Sequence, residues 1–243
     1  MNIEICVDNI ESLITANQFP INRIELCAAL SVGGITPNYG FIKQAQRYSS
    51  VPLMLMIRPR AGDFLYGESE VEIMLEDIAV AKEFGIQGVV FGALIANGEI
   101  DLKTTTKLVE ASRGMEITFH RAFDLCHNPF LALEQLIELG CHRILTSGQQ
   151  PTAFEGITTI QQLVQQAQGR IHIMAGCGVN AENVKQIIQQ TGVSDIHFSA
   201  KGQRRSAMQS ASLATMGVNS QDDRLNIADP YQIHSILTNI NSN

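Results

Sequence analysis

Glu4-Ile5-Cys6 and Glu25-Leu26-Cys27 repeat one pattern within the first 27 residues, each with a carboxylate two positions before a thiol. On a β-strand a spacing of two puts both side chains on one face, because successive side chains alternate. Two such strands side by side would bring two carboxylates and two thiols into one small volume. That set suits ligation of a soft metal ion or acid–base chemistry. It equally suits plain packing, since free cysteine is among the most buried residue types.

Further chemically able residues follow: Arg58 and Arg60, His120 and Asp124, and Gly176-Cys177-Gly178 with Lys201-Gly202 after it. The guanidiniums of Arg58 and Arg60 could grip a carboxylate or phosphate through paired hydrogen bonds, or pair with Glu4 or Glu25 instead. The Gly176–Gly178 turn leads toward a helix near Asn180, and the free N–H groups of a helix N-terminus favour an anion. Tight turns also require glycine for steric reasons alone.

The elements that must position these residues alternate in type. Short apolar or β-branched runs predict strands at Ile3–Val7, Arg23–Cys27, Leu53–Arg58, Gly88–Phe91, Glu116–His120, Arg143–Thr146, Ile171–Ala175 and Asp195–Ser199. Helical periodicity falls between them, at 10–17, 38–48, 70–84, 102–111, 129–139, 153–167 and 181–190, with a last helix near 230–240. Asn128-Pro129 opens one helix, and Gly85, Gly140 and Gly192 stand just past helix ends. Eight strands alternating with helices indicate parallel βαβ units, and eight units without a second-domain signal predict a closed (β/α)8 TIM barrel. The G-x-G-x-x-G fingerprint of an open dinucleotide-binding sheet is missing after the first strand. One domain, 1–243, is expected, with an irregular loop at 200–228 over the top face.

In such a barrel reactive groups collect at the C-terminal strand ends. Glu4/Cys6, Glu25/Cys27, Met54/Met56/Arg58, Thr118/His120 and His197/Ser199 share one parity, and the opposite parity is largely apolar. The apolar set belongs against the helices, so Glu4, Glu25, Arg58, His120 and His197 are expected inside. Barrel interiors are ordinarily filled with Val, Ile and Leu, and burying several ionisable groups is costly unless they pair. This departure marks a site. His142, His172 and Cys141 fall at or just before the start of strands, at the bottom of the barrel, and receive no functional role.

Composition narrows the setting. The 243-residue chain is 45% hydrophobic with a formal net charge of -7, which argues against a nucleic-acid partner. No apolar run approaches the ~20 residues that span a bilayer, and the N-terminus enters a strand-like run without a secretory signal pattern. Five cysteines without a dense framework suit reduced thiols, so the cytoplasm is the expected location.

Several segments, in order, resemble the CutC family of copper homeostasis proteins. They are Arg23–Ala28, Gly33-Gly34-Ile35-Thr36-Pro37, Ile57–Phe64, Thr118–Asp124, Leu145–Gly148, Met174–Val179 and Ile196–Ala200. The resemblance spans roughly the first 200 residues. It implies a cytosolic TIM-barrel protein, a homo-oligomer (dimer or tetramer), and Cu(I) as partner, with Cys6 and Cys27 matching the family's proposed ligands. Gln18–Asn22 replaces the short turn usual before the second strand, which touches a bottom loop only.

Two functions are therefore expected to compete. One is Cu(I) binding by Cys6 and Cys27, with Met54 and Met56 nearby as thioethers. The other is an enzyme acting on a small anionic metabolite. Its catalytic set would be His120 with Glu25 or Asp124, and Arg58, with Arg60, Gly176, Gly178 and Lys201 holding the anion.

Overall fold

The computed structural model describes residues 1–209 and 222–241. Eight parallel strands close into a barrel in sequence order: β1 (Asn2–Val7), β2 (Arg23–Leu26), β3 (Leu53–Met56), β4 (Gly88–Phe91), β5 (Glu116–Phe119), β6 (Arg143–Thr146), β7 (His172–Ala175) and β8 (Asp195–Phe198). The helices between them are α1 (Ile10–Ala16), α2 (Tyr39–Tyr48), α3 (Glu68–Glu83), α4 (Leu102–Ala111), α5 (Pro129–Glu138), α6 (Ile157–Ala167) and α7 (Val184–Thr191), and α8 (Pro230–Asn241) closes the chain. Each strand expected from the sequence is found: Gly88–Phe91 and Arg143–Thr146 match, and the others differ by one or two residues at one end.

Local signals explain the helix limits. Asn9, Asn38, Asp101 and Asn128 each accept backbone N–H bonds at the start of α1, α2, α4 and α5, satisfying donors that a helix leaves free. At the far end of α7, Gly192 adopts φ 72°, where a side chain would be strained, and its N–H returns to Ile188 O. Between strands and helices lies the main apolar core, which includes Ile5, Leu26, Leu55, Phe91, Phe119 and Ile196. These are the residues whose parity opposes the polar set, so the expected division into a helix-facing and an interior face is correct.

The segment expected to be an irregular loop from 200 to 228 contains regular structure at both ends. β9 (Lys201–Arg205) and β10 (Arg224–Ala228) pair antiparallel, and residues 210–221 of the expected loop lie outside the described residues. Alternation in Lys-Gly-Gln-Arg-Arg is not hydrophobic because the strand is largely exposed, so periodicity could not reveal it. Arg204 pairs with Glu11, and Ala228 N donates to Ser12 Oγ at 2.9 Å, which fastens the ribbon to α1.

Candidate functional site

Strand register decides which interior residues meet. Cys6 lies level with Glu25, and Glu4 level with Arg23 on one side and His197 on the other. The two Glu-x-Cys copies are thus offset along the barrel axis instead of side by side, and Cys27 stands beyond the level of Cys6.

Below this lies a buried ion network. Arg23 joins Glu4 (2.9 Å) to Asp195 (2.9 Å), and Arg143 reaches Asp195 at 3.3 Å and Glu116 at 3.1 Å. His172 also meets Asp195, at 3.1 Å, so it has a structural part in this network. Sequence reasoning missed Arg23, Arg143 and Asp195. The first shares parity with Glu25 and the last with His197, a signal that was available. Burial raises the Glu4 and Asp195 carboxyls, but hydrogen bonds and nearby cations outweigh it and hold each at about 2. For Glu4 these are His197, Arg23 and Arg143; for Asp195 they are Ser194, Arg23 and Arg143.

Above the network His197 bridges the layers. Its Nδ1 bonds Glu4 Oε1 at 2.9 Å, and its Nε2 lies 3.8 Å from Glu25 Oε2. Burial disfavours a charged imidazole, but Cys6, Glu25 and Glu4 around it raise the His197 pKa well above its ordinary value. Burial likewise pushes the Cys6 thiol up, only partly offset by His197. Glu25 is raised by burial and Cys27 strongly so, by burial and then by the Glu25 charge. The Cys27 thiol donates to Glu25 Oε2 at 3.3 Å and packs with Met54, Met56 and Val90, while Glu25 Oε1 has no partner. One ligand atom each from Cys6, Glu25 and His197 lies within 4.8 Å of the others.

This cluster opens into a cavity of about 750 Å³ at the C-terminal face, lined also by Arg58, Phe64, His120, Asp124, Gly178 and Lys201. Cys27 and Arg60 do not line it. His120 follows β5 and packs against Gly92, where a Cβ would come within 2.6 Å of Nδ1. Its Nδ1 accepts from Ala122 N at 3.1 Å, and Nε2 is buried without a partner. Burial, then the Arg58 charge, lower its pKa to about 3, so the ring is neutral.

The other residues expected to act divide clearly. Neither Glu25 nor Asp124 hydrogen-bonds His120. Asp124 instead accepts from Arg121, Thr146, Ser147 and Gln149 N, holding two loops together. Arg58 pairs with neither Glu4 nor Glu25. Arg60, with its side chain 39% exposed, is bound to Asp63 and Glu70 on the outer surface and does not face the cavity. Gly176 gives its N–H to Thr146 O, and a Cβ there would press on Leu145 and His197. It permits close packing and has no free N–H for an anion. Gly178 lines the cavity, but α7 starts only at Val184, after a turn whose N–H groups at Asn180, Glu182 and Asn183 are already satisfied. Lys201 stands exposed at the rim.

Fold and site together define a (β/α)8-barrel protein with a charged interior opening into a cavity at the C-terminal face. The CutC family model matches residues 1–202, and this chain belongs to the CutC family. It is similar to the CutC family protein of Glaesserella parasuis, 73% identical over 237 residues and 98% of each chain. That of Pasteurella multocida is 52% identical over 92% of each. A crystal structure of CutC from Streptococcus agalactiae, named as a candidate copper homeostasis protein, is 39% identical, with a TM-score of 0.79 over 82% of this chain and 98% of that one.

Proposed function

We propose that the protein serves copper homeostasis by binding Cu(I) at the cavity floor through Cys6 and His197, with Glu25 beside them. The observation that carries this reading is the convergence of the Cys6, Glu25 and His197 ligand atoms. A thiolate and an imidazole are soft and borderline donors suited to Cu(I). His197 keeps Nδ1 on Glu4, which leaves Nε2 as the ligating nitrogen with a carboxylate orienting the ring, as metal-binding imidazoles commonly have. The ion is cargo here, and no reaction is needed.

This ligand set differs from the Cys6/Cys27 pair that the family resemblance implies. Cys27 is fully buried, donates to Glu25 and lies off the cavity wall. Cu(I) titration under reducing conditions tests the difference. Cys6→Ser and His197→Gln are expected to weaken binding by at least about tenfold, and Cys27→Ser to leave the stoichiometry at one. Equal binding by wild type and Cys6→Ser would overturn the reading.

A reducing compartment, the cytoplasm, goes with this proposal and is supported by five free cysteines. A homo-oligomer, dimer or tetramer, goes with it too. Exposed apolar side chains such as Leu125 and Tyr231 support that part. Light scattering that returned the 26.6 kDa monomer mass at micromolar concentration would refute it.

A further inference from the structure

The cavity contains a charge that the metal cluster does not use. Arg58, only 5% exposed, gives Nη1 to the carbonyls of Val32 (3.0 Å) and Gly34 (2.9 Å) and Nη2 to that of Gly62 (2.8 Å). No carboxylate among the described residues forms an ion pair with it; the buried Tyr66 hydroxyl lies beside its guanidinium. Phe64 lies against both the guanidinium, 4.9 Å from ring centre to Cζ, and the His120 imidazole, 4.9 Å between ring centres. Since Ala122 N donates to Nδ1, the His120 ring proton is on Nε2, a buried donor with no acceptor; the residue is 4% exposed.

A buried cation balanced only by carbonyl and hydroxyl dipoles is costly, and so is an N–H with nothing to donate to. One occupant relieves both: a group with negative charge and acceptor oxygens. A cation is repelled by Arg58, and water supplies an acceptor but no charge. The guanidinium and the imidazole N–H stand on two side chains that share Phe64, which suits the two oxygens of a carboxylate better than the three of a phosphate.

We propose that this cavity binds a small organic carboxylate at the Arg58 guanidinium and the His120 imidazole, both of which line it, with its body lying along Phe64. Glu25, which also lines this cavity, gives a hydroxyl or amino substituent somewhere to bind. Hydroxy acids and amino acids are therefore favoured over plain carboxylates. The proposal goes beyond copper binding and does not need it.

Chelator-treated protein is melted and titrated calorimetrically with acetate, glycolate, lactate, glycine, inorganic phosphate and glycerol, so that the result does not depend on copper. Glycolate, lactate or glycine is expected to raise the melting temperature in a saturable way, above acetate, while phosphate and glycerol leave it unchanged. His120→Phe, which keeps the ring contact with Phe64, is expected to weaken binding by about ten- to a hundredfold. Because Arg58 also holds three loop carbonyls, a second readout uses wild type alone: the His120 Nε2 NMR resonance must move on adding glycolate. No response to any carboxylate, an equal response in His120→Phe, or an unmoved Nε2 resonance would overturn the proposal.

Discussion

Cys6 and Cys27 sit on different levels of the barrel although their local sequences match. With Cys6 level with Glu25, Cys27 is one strand across and two residues along, about 8 Å away between Cα atoms by strand geometry. That exceeds the reach of a disulfide, so mild oxidation is expected to leave both thiols titratable in unfolded, alkylated protein. Copper binding must displace protons from Cys6 and from His197, both raised above their usual values. Cu(I) affinity is therefore expected to fall by about two decades per pH unit below neutrality, measured by ligand competition corrected for the competitor's own titration. His120 acts on stability instead. Unfolded, it titrates near 6.5; folded, near 3. Only the unfolded chain takes the proton between these values, so the contribution of His120 is complete above pH 6.5 and is lost as pH falls toward 3, by about 1.4 kcal/mol per unit. Glu25, raised in the fold, gains stability as pH falls through part of this range. Denaturation of wild type and His120→Gln at pH 7 and 5 reads the difference, and equal pH dependence would refute it.

At the scale of elements, the site depends on how closely strand and loop backbones approach. A Cβ on Gly92 would lie 2.6 Å from His120 Nδ1 and 2.9 Å from Ala122 Cβ. Gly92→Ala is expected to cost about 1–3 kcal/mol by overpacking, seen as a lower denaturation midpoint, and to displace the ring. The strands and their inward parity were legible because alternation and short apolar runs report burial directly. The residues that meet were not, because register is set by pairing between strands: a shift of one level turned a supposed Cys6/Cys27 pair into Cys6 beside Glu25. Arg60 looked equivalent to Arg58, yet two residues further along the loop it lies at the surface, where Glu70 on α3 captures it. The long tail showed no periodicity because β9 and β10 form a ribbon with little apolar face to repeat.

For the whole molecule, the lower interior is held by charge where most barrels use apolar layers. Asp195 binds Arg23, Arg143 and His172 together. Asp195→Asn leaves two buried guanidiniums short of their counter-charge, with an expected loss of about 3–5 kcal/mol in urea unfolding. A loss below 1 kcal/mol would show that the network relaxes without it. The pair between Glu4 and His197 joins the first strand to the last, 193 residues apart in the chain. During synthesis Cys6 and Glu25 emerge early but wait for β8 before they have a partner imidazole. A nascent chain released before residue 197 would have the two thiols and no finished site. Ligand capture at the cavity floor thus reports that the ring has closed, and a bound ion would hold the first and last strands together against reopening.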